Sequence, residues 1–164
     1  MSAESGERTG ISSRGDFLEA ARNMLSQVDQ SGTRDITLVD TDFSPWPLDD
    51  VAVIDALTRW IRLPGRRLRL VGSRFDVIER DQSRFATWRK PFAHAIEASI
   101  PTDVDPGDMP SVLLLDASCL ELFDREHWQA RATSERRSLV LQRERLDALM
   151  QRCEAAWPVT VLGL

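Results

Sequence analysis

Asp124-Arg125-Glu126-His127 is a polar corner able to accept an anion, because an arginine and a titratable imidazole sit side by side. A lone histidine in a charged loop is more often simply solvated, and His94 reads as structural. Two arginine groups, Arg66/Arg67/Arg69 and Arg136/Arg137/Arg143/Arg145, carry the charge needed to hold phosphate or nucleic acid. Acidic residues interleave with both, so surface ion pairs account for them more simply. Asp103-Val104-Asp105-Pro106-Gly107-Asp108 has the look of a calcium loop, but Leu114 stands where the closing glutamate belongs, which excludes an EF-hand. Trp46, between Pro45 and Pro47, reads either as a core plug or as an exposed partner anchor.

The scarcities exclude more than these residues promise. Of 21 basic residues only Lys90 is lysine; there are 2 histidines, 2 cysteines and no tyrosine. A His/Cys metal or haem site, a tyrosine nucleophile and a disulfide framework are unsupported, so neither metal nor cofactor is expected. Hydrophobic content of 42% and charged content of 29% over 164 residues suit one globular domain with its own core. The net charge of −5 disfavours nucleic acid and anionic lipid as partners.

The elements that must position these residues follow from periodicity. Asp16 is expected to cap a helix bearing Phe17, Ala20, Ala21, Met24, Leu25 and Val28, ended by Gly32. Asp35–Val39 reads as a strand running into the loop Asp40–Pro47. Asp49 and Asp50 cap a second helix with Val53, Ile54, Leu57, Trp60 and Ile61 inward, stopped at Pro64-Gly65. Leu68–Val71 is a second strand, and Ser73 opens a third helix carrying Phe75, Ile78, Phe85 and Trp88. His94–Ile100 alternates as a third strand. Val112–Asp116 and Cys119–Phe123 predict a hairpin across Ala117-Ser118. Leu146, Leu149, Met150, Cys153 and Trp157 form one long-helix stripe, followed by a short strand at Val159–Leu162. The order predicts a three-layer α/β domain with a mixed, mostly parallel sheet and helices on both faces. Met1–Gly15 lacks an apolar core and is expected to be a flexible tail rather than a signal peptide. Residues 16–164 are expected to form the single domain. No run is long and apolar enough to span a bilayer, and a bacterial cytoplasmic setting is expected from the reduced cysteines and arginine-rich usage.

Met109-Pro110-Ser111, four residues, then Asp116 occupy the spacing of the H-x-K-x4-D motif of the phospholipase D-like superfamily. Leu38-Val39-Asp40, the Pro-containing loop, the helix ending in Arg62-Leu63, and Arg67–Val71 also look like bacterial members of it. The resemblance covers residues 16–162 and implies a phospholipase D-like α/β half. In that family the histidine is the nucleophile and the lysine neutralises phosphate oxygens; Met109 and Ser111 can do neither. The family's following G-S-x-x-N segment falls at Phe123–His127, where nothing of it is kept. Asp116 reads most simply as a strand-end carboxylate bonding turn amides. The resemblance therefore implies a pseudo-enzyme with a vestigial motif and a binding, assembly or regulatory role. Paired copies in that superfamily make a homodimer, or a substituting protein partner, the expected assembly.

An alternative resemblance lies in Ile36–Ser44, which is similar to the haloacid dehalogenase signature of a strand followed by D-x-D-x-[TS]. It implies a Mg²⁺-dependent phosphohydrolase with Asp40 as nucleophile and metal ligand and Asp42 as acid/base. Ser73 would bind phosphate, Lys90 would balance charge, and Asp103, Asp105 and Asp108 would be later metal ligands. The preceding helix and the two prolines depart from that pattern.

Overall fold

The computed structural model describes residues 6–159. Eight strands form a single sheet in the order β1-β7-β6-β5-β2-β3-β4-β8. They are β1 (Arg8–Ile11), β2 (Asp35–Asp40), β3 (Arg67–Gly72), β4 (Ile96–Pro101), β5 (Val112–Leu114), β6 (Cys119–Asp124), β7 (Gln129–Thr133) and β8 (Cys153–Ala155). The helices are α1 (Arg14–Ser26), α2 (Val51–Ile61), α3 (Asp76–Asp81), α4 (Ser83–Trp88) and α5 (Arg136–Met150).

Only β2–β3 and β3–β4 pair in parallel, and the other pairings are antiparallel. The expectation of a mostly parallel sheet is therefore corrected. The β-α-β crossovers build only the β2-β3-β4 segment; the hairpin then extends the sheet by antiparallel neighbours on β2. Alternation sorts the strand residues between two cores. Ile36, Leu38, Leu68, Leu70, Leu113 and Leu120 pack with Phe17, Leu57 and Trp60 of α1 and α2. Val39, Val71, Val112, Leu114 and Cys119 face the other way, against Leu139 and Leu146 of α5.

Local chemistry explains most boundaries and several departures. Asp50 caps α2 by accepting from the Ala52 and Val53 amides at 2.9 and 3.3 Å. The α1 cap is Ser13 rather than Asp16: its Oγ accepts from the Asp16 amide at 3.2 Å, leaving Asp16 in the first turn, where its charge suits the helix dipole. Arg8–Ile11, expected within a flexible tail, pairs with β7 residues Ala130–Thr133. The single helix expected after Ser73 is two, broken at Gln82 (φ −130°, ψ 52°). His94 lies exposed in a 3₁₀ turn, and β4 starts only at Ile96. The C-terminal stripe is not one helix. α5 stops at Met150, and Cys153–Ala155 pairs with Ser99–Pro101, because an open β4 edge offers a ladder that helical periodicity cannot register. The strand expected at Val159–Leu162 falls outside the described residues from 160 onward.

Candidate functional site

β2 delivers Asp40 to the C-terminal end of the parallel segment, where the chain must turn sharply. Asp40 Oδ2 accepts from the amides of Asp42 (3.1 Å) and Phe43 (2.7 Å). Those bonds hold Phe43 in the left-handed region, at φ 67°, a conformation unfavourable for a bulky side chain. Gly72 of neighbouring β3 makes this possible, since a Cβ there would lie 2.5 Å from the Phe43 ring. The Pro-rich loop is fixed from behind by Gln82. Its Oε1 accepts from Leu48 and Asp49 (2.9 and 3.1 Å), and its Nε2 donates to the Phe43 carbonyl at 3.0 Å. The helix break at Gln82 thus presents a side-chain amide to a loop rich in unpaired backbone groups.

Asp40 is 0% exposed and fully engaged. Arg125, reaching back from the end of β6, donates from Nη1 to both of its oxygens at 2.9 and 3.0 Å. The Ser111 hydroxyl also donates to Oδ1. Trp46 Nε1 lies 3.2 Å from Ser111 Oγ and 3.4 Å from Asp40 Oδ1. The second Arg125 nitrogen donates to Asp42 Oδ1 and Ser44 Oγ at 3.0 and 3.1 Å. Burial alone would push the Asp42 carboxyl up. Hydrogen bonds from the Ser44 amide and hydroxyl, then the Arg125 guanidinium, outweigh burial and hold it below its ordinary value.

The residues singled out in the sequence divide between two ends of the sheet. Ser111 and Met109 lie at the Asp40 end, with Met109 partly buried against the smaller core. Asp116 lies at the opposite end, where its carboxylate accepts from the Arg34 and Asp35 amides at 2.8 and 3.3 Å. Five residues of extended chain separate Ser111 from Asp116 by roughly 16 Å, so the motif positions do not converge. Trp46 is 1% exposed and packs edge-on against Phe17 at 5.0 Å, which removes the partner-anchor reading. His127 is exposed, with Nδ1 at 3.0 Å from Asp124, whose carboxyl its amide and ring hold below the ordinary value.

The phosphohydrolase constellation is not assembled. Both Asp40 oxygens are occupied, and Lys90 sits exposed ahead of β4, at the N-terminal end of the parallel strands. Ser73 meets the site only through its amide, which donates to the Thr41 carbonyl at 3.0 Å. Asp103, Asp105 and Asp108 are exposed in the loop that Thr41 Oγ1 tethers at the Pro106 carbonyl, 2.8 Å away. Burial pushes the Cys119 thiol up to about 12, which disqualifies it as a nucleophile.

The arginine groups also divide. Arg67 and Arg69 pair with Glu97 at 3.4 and 3.6 Å, and Arg145 pairs with Glu121 at 3.0 Å. Arg136 and Arg137 are exposed and meet no carboxylate among the described residues. Arg131, on neighbouring β7, lies over the exposed Phe123 ring at 5.6 Å. Sequence reasoning missed the Asp40–Arg125 pair and the Gln82 staple. Charge complementarity across 85 residues leaves no local signal.

No family model matches the chain, and no curated protein matches it in sequence. Solved structures do match in fold. TrmBL2, an archaeal chromatin protein whose structure shows a novel mode of DNA binding, superposes with a TM-score of 0.63 over 91% of this chain at 15% identity. The match covers 54% of TrmBL2, so the chain spans about half its length. NucT from Helicobacter pylori gives 0.57 at 9% identity, over 92% of this chain and 99% of NucT. Nuc from Salmonella typhimurium, a phospholipase D family member, gives 0.53 at 11% identity, over 93% and 99% of the two chains. The fold is phospholipase D-like. The likeness to TrmBL2 overturns the partner expectation, a homodimer or protein partner with nucleic acid disfavoured: a chromatin protein shares this fold, and net charge is no ground for setting nucleic acid aside. Among the described residues no helix is long and apolar enough to cross a membrane.

Proposed function

We propose that this phospholipase D-like module is non-catalytic and binds nucleic acid. One observation carries the reading of catalysis: the hydroxyl and the cation at the motif end, Ser111 and Arg125, are both spent on the buried carboxylate of Asp40. The guanidiniums paired at this site both face its own aspartates, Arg125 on Asp40 and Asp42 and Arg74 on Asp42 at 3.7 Å, which leaves no uncommitted cation for a phosphodiester, and Met109 supplies no nitrogen nucleophile. Binding is supported by the fold shared with TrmBL2 and by Arg131, Arg136 and Arg137, which meet no carboxylate among the described residues. Arg131 over Phe123 adds an aromatic face on which a base can stack. A net charge of −5 does not prevent this, because the local field of a patch governs encounter.

Fluorescence anisotropy with labelled single- and double-stranded 20-mers, titrated across salt, tests the reading. The expected log–log salt slope for duplex DNA is about −2 to −3, falling by about 2 in Arg136→Gln/Arg137→Gln. Binding that is absent at low salt, or indifferent to both substitutions, overturns it. The expected rate with bis(p-nitrophenyl) phosphate equals the blank. Turnover that Ser111→Ala abolishes would overturn the non-catalytic half.

A further inference from the structure

A cleft of about 860 Å³ opens at the far edge of the sheet, between β4, β8 and the C-terminal end of α5. β8 pairs with β4 only at Ser99–Pro101, so the edge at Ile96 and Glu97 is left uncovered by β8. Arg89, on the cleft wall, is 4% exposed. Buried arginines ordinarily face a carboxylate. This one meets none within 4.0 Å among the described residues, and its Nε is buried without an acceptor. Its side chain has one long bond, from an Nη to the Pro158 carbonyl at 3.5 Å. Glu79, whose charge is felt at Arg89, accepts from Trp157 Nε1 at 2.8 Å and makes no ion pair with the guanidinium.

The guanidinium is held in place from below. Its carbon lies 3.4 Å from the centre of the Trp157 ring, and the same indole stacks on Phe75 at 5.1 Å and 14°. Trp157 keeps this position with φ at 49°, so the clamp outweighs a backbone cost. An oriented, desolvated cation at the wall of a cleft is a receptor for an oxyanion. The walls favour an apolar body, through Ile96, Ala98 and Met150. Charge count favours a single negative charge. Arg69, the other cation, is engaged by Asp35 and Glu97 at 3.6 Å each, and Glu97 and Asp147 would repel a second charge.

We infer that this cleft binds a small monoanion, a carboxylate on a compact apolar body, with Arg89 as the anchoring cation. The site lies apart from Asp40 and from the Arg136–Arg137 surface, and stands whether or not nucleic acid binds. The arginine Nε–H resonances of the ¹⁵N-labelled full chain read it directly, under titration with sodium hexanoate, sodium benzoate, phenyl phosphate and inorganic phosphate. Hexanoate or benzoate is expected to shift one Nε–H saturably, with the phosphates weaker by about tenfold. Arg89→Lys, which keeps the charge and loses the fork, is expected to weaken the carboxylates about tenfold. If that variant fails to fold, Ala93→Leu at the exposed rim narrows the cleft without touching Arg89 and should weaken them several-fold. No saturable shift in the wild-type chain, or unchanged affinity in a folded variant, overturns the site. Tighter binding of either phosphate overturns its assignment to a carboxylate.

Discussion

Replacing Asp40 by alanine should cost about 3 kcal/mol. The carboxylate is fully buried, and its removal strips the acceptor from the Phe43 amide, which is also buried. It also takes the closer ion-pair partner from Arg125, whose side chain is 38% exposed. Breaking a buried pair costs roughly 3–5 kcal/mol. Solvent reaching Arg125, and the remaining bond to Asp42 at 3.0 Å, put this case at the low end. Asp40→Asn keeps one oxygen for the loop amides but turns an NH₂ or a neutral oxygen toward Arg125, and should cost about 2 kcal/mol. Urea unfolding followed by tryptophan fluorescence measures both. With a slope near 2 kcal/mol/M, the alanine variant should shift the midpoint by about 1.5 M. A double-mutant cycle with Arg125→Ala should return a coupling of about 1–2 kcal/mol. Additive effects, or a loss below about 0.5 kcal/mol in Asp40→Ala, would refute the reading of Asp40 as the structural centre of this end of the sheet.

Gln82→Ala should destabilise by about 2–3 kcal/mol in the same assay, because it orphans the Leu48 and Asp49 amides and the Phe43 carbonyl together; a surface-like loss under about 0.5 kcal/mol would contradict the staple. Gly72→Ala should cost about 1–3 kcal/mol by forcing the Phe43 ring out of its left-handed seat, and Gly72→Ala/Phe43→Gly should recover part of the close-contact penalty. Asp42, whose folded pKa lies below its ordinary 3.8, contributes stability that is fully present above that value and lost as pH falls through the lower folded pKa. Stability measured from pH 6 down to pH 2 should therefore fall less steeply below about pH 4 in Asp42→Asn than in the parent chain.

What could be read from the sequence was whatever is encoded within a dozen residues. The Asp50 cap, the Val53–Ile61 stripe, β2, β3 and the hairpin are local and appear where periodicity places them. β1 and β7 were illegible because Arg8–Ile11 and Gln129–Thr133 carry little apolar bulk; their pairing with each other and with β6 makes them strands. The antiparallel junction of β2 with β5, which turns a parallel start into a mostly antiparallel sheet, is likewise a tertiary decision. At the candidate site, Asp40, Ser111 and Arg125 each stood out, but as members of separate hypotheses. Nothing in single-residue chemistry distinguishes an aspartate that attacks from one that is clamped; only the count of donors around it does.

That count supports the proposal that the motif end is unsuited to phosphate handling. Asp40 and Asp42 share the Arg125 guanidinium, and Arg74 lies 3.7 Å from both Asp42 and Asp76, so three carboxylates face two guanidiniums and the cluster carries one negative charge in excess. A phosphodiester approaching it would meet net repulsion. Placing a lysine at Ser111 would not reverse this, since the new ammonium would arrive beside Asp40 and complete an internal ion pair before it could reach solvent. On the proposed non-catalytic reading, the residue types at Met109 and Ser111 and the Asp40–Arg125 clamp belong together: a carboxylate of the chain itself occupies the cation. The two proposals accordingly place ligand recognition at arginines that pair with no carboxylate among the described residues: Arg131, Arg136 and Arg137, and Arg89 in its cleft.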